Sequence, residues 1–232
     1  MFFEEHAKLL SEFARVSQAA GARADYVQGG GGNTSVKLPG GLMAIKASGF
    51  CLSDIRPDKA YAVLDGADLR NFYLTTEPSA LADVEKEGSA RAKADIRHID
   101  GLADLRPSVE AGFHSILKTF VVHTHSVYAN LAACSTACRP IAAQAFAGAN
   151  YTWGWVPYTD PGANLTFAIR DELRRVEAET GKAPSVILMQ NHGIIVHDDD
   201  PDTALAIHTD ANERLARMFG LSGTSFPKIA VR

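Results

Sequence analysis

The fold turns on Gly29–Phe50, GGGGNTSVKLPGGLMAIKASGF. A glycine run of this kind suggests a nucleotide phosphate loop. A dinucleotide fingerprint, however, must open a helix, and these glycines run into NTSVKL, a short strand-like segment. A P-loop would end in Gly-Lys-Ser/Thr, and no such ending follows. LMAIKA is a second strand-like run, and Pro39–Gly41 between the two reads as a hairpin turn. An early hairpin followed by interspersed helices predicts an α/β protein with a mainly antiparallel central sheet and helices packed on it.

Working outward, Phe2, His6, Leu9, Phe13, Val16 and Ala20 recur at helical spacing, and Gly21 offers a stop. YAVLD (61–65) reads as another strand, and residues 77–95 read as a polar, helix-compatible surface element. PSVEAGFHSILKTF offers Ser108 as a helix cap, with Val109, Phe113, Ile116 and Leu117 on a buried stripe. FVVH (120–123) is a short β-rich run, whereas Tyr128 to Ala147 is Ala-rich and ambiguous. Thr159 or Asp160 is the expected cap of the next helix, with Pro161 in its first position. SVILMQ and IIVH are apolar strands split by Asn191-His192-Gly193, and a last capped helix closes at Gly220. No internal repeat or low-complexity linker interrupts the chain. Residues 66–106 resemble an insertion, so one domain over 1–232 is expected.

Composition narrows the function classes. The 232 residues are 46% hydrophobic and 22% charged, which suits an ordinary globular protein with a sizeable core. A net charge of −4 without a cationic block argues against a nucleic-acid surface. No apolar run approaches the roughly 18 residues of a membrane span. MFFEEHAKLL lacks the order of a signal peptide, and an odd cysteine count (Cys51, Cys134, Cys138) favours a reducing cytoplasm. Cys134 and Cys138 read as small core residues.

His123 and His125 are spaced so that strand geometry turns both imidazoles to one side. They could share a metal ion, or be two ordinary histidines at a strand end. His192 also follows an apolar strand and would complete a three-histidine set with open positions for substrate. Glu110, in the first turn of a helix, is either a helix-dipole carboxylate or a fourth ligand and base. His114 lies four residues on, on the same helical face, where a supporting role is expected. His6, His98, His197 and His208 have no comparable context. The glycine-rich turn, with Asn33 and Thr34, could cradle an anion. So could the turn at Lys46, Ser48 and Gly49, or Arg106 and Ser108 at a helix start. Each could equally be an ordinary polar turn.

In chain order, Gly-Asn-Thr-Ser, Ala-Ser-Gly, Pro-Ser-x-Glu, His-x-His, Pro-Tyr and Asn-His-Gly resemble the class II aldolase/adducin family over about residues 8–220. GGGNTSVK, IKASG and RPSVE are most similar to the aldolase portion of bifunctional rhamnulose-phosphate aldolase/lactaldehyde dehydrogenase proteins. That portion is expected to stand alone, with no dehydrogenase segment after Arg232. The resemblance implies a three-layer αβα fold and a cytoplasmic homotetramer with active sites between subunits. It implies a divalent metal, Zn2+ or alternatively Mn2+, Co2+ or Fe2+, on His123, His125, His192 and Glu110. It implies phosphate binding by Gly32, Asn33, Ser48, Gly49 and Ser108, with Glu110 as base and Tyr158 as a proton donor reaching across an interface. The implied reaction cleaves a ketose 1-phosphate to dihydroxyacetone phosphate and a short hydroxyaldehyde through a metal-stabilised enediolate. A ribulose-phosphate 4-epimerase, or a dehydratase or decarboxylase, would use the same site, and an adducin-like scaffold would be expected to lack the ligands. Two departures stand out. Val109 occupies the place of a serine usual in fuculose-phosphate aldolases, so Lys37, Lys46 or Arg106 would have to compensate or the anion differs. The Glu110–His123 spacing is also shorter than in those enzymes.

Overall fold

A computed structural model describes residues 1–221; the tail SFPKIAVR lies outside the described residues. The hairpin forms as the sequence predicts. β1 (Asn33–Lys37) turns through Pro39–Gly41, with Gly40 and Gly41 at φ of 76° and 80°, into β2 (Leu42–Lys46). β3 (Tyr61–Asp65), β4 (Ile96–Arg97), β5 (Phe120–Thr124), β6 (Trp153–Val156), β7 (Val186–Met189) and β8 (Gly193–Asp198) complete an eight-stranded sheet. Its order is β4-β3-β2-β1-β5-β8-β7-β6, and every neighbouring pair is antiparallel except β6 and β7.

The helices are α1 (Phe2–Glu5), α2 (Ala7–Gly21), α3 (Gly66–Thr75), α4 (Val84–Ala94), α5 (Ala111–Ile116), α6 (Val127–Ala133), α7 (Cys138–Ala145), α8 (Ala163–Thr180) and α9 (Pro201–Met218). They cover both faces of the sheet, because the strands are apolar on both. Met43, Ile45, Val121, Ile187 and Ile195 pack with α3, α5 and α8. Their chain neighbours Ala44, Val122, Val186, Leu188, Ile194 and Val196 face the opposite layer, built from α2, α6, α7 and α9. Alternation thus sorts each strand between two cores, and the result is the three-layer αβα arrangement.

Several local expectations change. The first helix breaks at His6, the C-cap of α1. Ser108 does not cap α5. Glu110 is its N-cap residue, and the Ser108 hydroxyl instead accepts the Glu110 N–H at 3.3 Å. Val109 leaves the buried stripe and is 66% exposed, while Phe113, Ile116 and Leu117 are buried. Neither Thr159 nor Asp160 caps α8. Gly162 sits at its N-cap, and the Glu85 carboxylate from α4 accepts the Ala163 and Asn164 N–H groups at 2.9 and 2.7 Å. A carboxylate 78 residues away in sequence replaces the local cap because Gly162 offers no side chain. Residues 66–106 belong to the body of the fold, since β4 pairs with β3 and α4 docks on α8. Cys134 is exposed and Cys138 buried.

Two strands escape the sequence reading. β4 is two residues long. β6 is WGWV, whose half-buried tryptophans look unlike an apolar strand. It runs parallel to β7, and α8 provides the long crossover that a parallel pair needs.

Candidate metal centre

Strand register brings the site together. Asn33 on β1 lies directly opposite His123 on β5, and His123 lies opposite Ile195 on β8. His123 shares the face of Val121, toward α5, and its ring meets Phe113 edge-on. His125 follows one residue beyond β5. His192 sits in the tight β7–β8 connection, where Asn191 adopts φ 55°. Gly193 must be glycine there, because a Cβ would lie 2.4 Å from the Thr124 carbonyl. Gly32, at φ 69°, is equally constrained, with a Cβ 2.6 Å from the His123 carbonyl.

Ligand atoms of His123, His125 and His192 all lie within 4.8 Å of one another. Glu110, at the start of α5, places Oε1 3.1 Å from His192 Nε2 and Oε2 3.6 Å from His123 Nε2. His123 Nδ1 is 3.0 Å from the Ile194 carbonyl and must donate to it, which leaves the Nε2 lone pair facing inward. Nε2 of His125 is 3.1 Å away. Burial pushes the His123 imidazolium down to about 3, and burial with the nearby His192 lowers His125 as well. Burial works to raise the Glu110 carboxyl, but His123, His192 and Asn33 hold it well below the usual carboxylate range. His123 and His125 are therefore neutral beside an ionised Glu110 carboxylate.

A divalent ion fits these residues. Donors at about 2.1 Å from a tetrahedral centre stand roughly 3.4 Å apart, near the spacings seen. Two facing imidazole lone pairs repel unless a cation or a proton lies between them. His192 Nδ1 is buried without a hydrogen-bond partner, and Glu110 Oε1 faces His192 Nε2, as expected of groups arranged around an ion. Neutral His123 and His125 and an ionised Glu110 are also the protonation states that ligation requires.

Behind the ligands runs a hydrogen-bonded chain in which His114 takes the supporting role expected of it, although its partners Asn33 and Ser35 were not foreseen. Asn33 Nδ2 donates to Glu110 Oε2 and, at 3.1 Å, to the Ser108 hydroxyl. His114 Nε2 contacts Asn33 Oδ1, and His114 Nδ1 is 2.8 Å from the Ser35 hydroxyl. An amide oxygen can only accept, so His114 carries its proton on Nε2 and accepts from Ser35. Its ring thereby fixes which end of the Asn33 amide faces Glu110. Burial and the Lys37 ammonium keep His114 neutral, well below its usual range. The i,i+4 pairing of Glu110 with His114 and the i,i+2 pairing of Asn33 with Ser35 were the available signals.

The proposed anion turns join the same cleft. Ala47 bridges Pro107, the Ser48 N–H donates to the Arg106 carbonyl at 2.8 Å, and Arg106 Nη2 reaches the Ser48 hydroxyl at 3.2 Å. Lys46 is buried and donates to the carbonyls of Phe50 at 2.7 Å and of Gly30 and Ala47 at 3.4 Å, tying the two glycine-containing turns together. Gly49, at φ 89°, faces open space. Lys37 does not compensate for Val109. It lies at the far end of β1, with its ammonium on the His114 carbonyl. Tyr158 stands apart. It is 57% exposed, its hydroxyl donates to Asp160 at 2.8 Å, and its N–H reaches the Gln190 side chain next to the His192 turn.

The family model of the class II aldolase and adducin N-terminal domain matches residues 11–219. The chain belongs to the class II aldolase and adducin family. Solved structures agree on the fold. The N-terminal class II aldolase domain of a conserved protein from Thermoplasma acidophilum is 21% identical, covers 90% of this chain and 92% of its own, and superposes with a TM-score of 0.72. A protein from Escherichia coli, whose name leaves aldolase, epimerase and decarboxylase open, is 20% identical over 93% of this chain and 90% of its own, with a TM-score of 0.63. L-fuculose-1-phosphate aldolase from Thermus thermophilus is 14% identical over 93% of this chain and 95% of its own, with a TM-score of 0.55. No curated protein matches the chain. Class II aldolases are lyases that use a divalent metal, typically zinc, and typically oligomerise. No helix among the described residues is long and apolar enough to cross a membrane.

Proposed function

We propose that this protein is a metal-dependent aldolase that cleaves a ketose 1-phosphate of the rhamnulose or fuculose type to dihydroxyacetone phosphate and a short hydroxyaldehyde. The carrying observation is the meeting of His123, His125, His192 and Glu110 beside the Ser48, Gly49, Arg106 and Ser108 turns. A divalent ion held there supplies Lewis-acid stabilisation of charge developing on substrate oxygens. The substrate phosphate lies against Gly32, Asn33, Ser48, Gly49 and Ser108. Arg106 and Lys46 provide the positive charge that replaces the donor lost at Val109. Asn33 and His192 orient the two Glu110 oxygens, so that Glu110 holds and returns the proton at C3. The C4 hydroxyl gives its proton to the phenol oxygen of Tyr158 of a neighbouring subunit as that phenol passes its own proton to solvent. The C3–C4 electron pair stays on the dihydroxyacetone phosphate half. Exposure of Tyr158 in the single chain supports this role, and a homotetramer in the cytoplasm is part of the same reading.

The test is a screen of metal-loaded protein against ketose 1-phosphates, scored by dihydroxyacetone phosphate release. Release that stops on chelation and returns with Zn2+ is the expected result. Absence of release from every sugar refutes the aldolase, and a sugar changed without fragmentation reassigns the site to an epimerase. The E. coli relative's name keeps that second reading in view.

A further inference from the structure

A second cleft lies at the opposite end of the sheet from the histidines. Asn33 begins β1 at the metal centre, and Lys37 ends it at this cleft, where Thr119 precedes β5 and Asp199 follows β8. Its volume is about 710 Å³, and Lys37, Arg70, Lys118, Arg170 and Arg174 line it. Two carboxylates, Glu177 and Asp199, join them. In a chain with a net charge of −4, this is a local reversal of sign.

Part of that charge is already neutralised. Lys118 pairs with Asp198 at 2.9 Å, and buried Arg170 pairs with Asp171 at 2.9 Å. The other three cations donate only to main-chain carbonyls near helix C-termini. Lys37 binds the His114 carbonyl, Arg70 the Ser115 carbonyl at 3.2 Å, and Arg174 the Leu74 carbonyl at 3.0 Å. A helix end offers about half a charge, so these contacts leave most of the positive charge unanswered. Among the described residues, neither Lys37 nor Arg70 forms an ion pair with a carboxylate, and Arg174 reaches Asp171 only at 3.9 Å. Asp199 Oδ1 is occupied by the Thr119 N–H and hydroxyl at 3.1 and 2.7 Å. Burial and the neighbouring Arg70 push the Lys37 ammonium well below its usual range, against a smaller opposing pull from Asp199. Capping of helix ends explains where these side chains rest. It does not explain two crowded basic groups that form no ion pair among the described residues.

We propose that this cleft binds a small phosphorylated molecule, with its phosphate against Lys37 and Arg70 and Arg174 on the wall, separate from the substrate cradle. Guanidinium forks match phosphate oxygens, and Arg70 and Arg174 each retain free donors. The volume exceeds that of inorganic phosphate and falls among ordinary small-molecule sites. Leu38, Leu42, Leu74 and Leu117 supply apolar wall for the organic part.

Equilibrium dialysis of the metal-loaded full chain against radiolabelled inorganic phosphate and pyrophosphate, at fixed ionic strength, tests this. Arg106→Gln weakens the substrate cradle and should leave binding at the cleft in place. Arg70→Gln and Arg174→Gln should each weaken that remaining binding at least tenfold while the active site works at its wild-type rate. Lys37→Met should also weaken that binding, but Lys37 holds the His114 carbonyl behind the metal centre, so the two arginine variants alone carry the comparison of activity. Phosphate and pyrophosphate binding unchanged in Arg70→Gln and Arg174→Gln overturns the proposal. That result is separate from the fate of the aldolase reading, which is judged by sugar cleavage alone.

Discussion

Replacing His114 by alanine probes the metal centre without touching a ligand. The substitution removes the donor that fixes Asn33 Oδ1 and the acceptor of the Ser35 hydroxyl, both in buried positions. Each buried polar group left unpaired costs about 1–3 kcal/mol, so the loss is roughly 2–6 kcal/mol. Global stability of a domain is only about 5–15 kcal/mol, so the loss is a large share of it and the urea midpoint should fall sharply. The second consequence is more specific. Without His114 the Asn33 amide is free to turn its oxygen toward Glu110, and the carboxylate loses the donor on Oε2. Loss of such an outer partner typically weakens metal binding about 10–100-fold. Competition of the purified variant with a chromophoric chelator measures this directly. His114→Gln, which keeps an N–H donor, should recover part of both losses. If His114→Ala loses several kcal/mol yet holds its metal as tightly as wild type, the chain from Ser35 to Glu110 is merely structural and the reasoning fails.

Acid should destabilise the protein through two buried histidines outside the ligand set, His197 and His208, the second of which meets the Thr124 hydroxyl at 2.7 Å. Burial pushes His197 and His208 down to about 3, whereas an unfolded histidine protonates near pH 6.5. Below about pH 6.5 the unfolded chain binds more protons, so stability falls by up to about 1.4 kcal/mol per pH unit for each histidine until the folded values are reached. Urea midpoints measured between about pH 7.5 and pH 5 should show the slope, and His208→Gln should reduce it; a flat profile refutes the assignment. Glu85→Ala should cost about 1–2 kcal/mol by stripping the cap from α8, and an unchanged thermal midpoint would show that the α4–α8 contact carries no stability. Gly32→Ala forces a Cβ against the His123 carbonyl at a positive φ, so at least about 2 kcal/mol and about 4–8 °C in Tm should be lost; calorimetry giving wild-type values would refute the constraint.

The sequence alone determined the parts with a local physical signature. The glycine run feeding NTSVKL ruled out the nucleotide folds and implied the hairpin. Strict spacing put His123 and His125 on one side of a strand end, and motif order pointed to the family. Tertiary structure decided what depends on distant partners. The cap of α8 comes from Glu85, because Gly162 has no side chain with which to cap it. Val109 moved out of the core because the helix begins at Ala111, two residues later than a cap at Ser108 implies. Lys37 and Lys46, nine residues apart in one hairpin, serve opposite ends of the sheet because antiparallel pairing sends their strands in opposite directions. Strand register likewise set Asn33 beside His123 and brought Glu110 and His192 to the same point. Spacing along a chain fixes which face a side chain takes, but only pairing across the sheet fixes which other side chain it meets there.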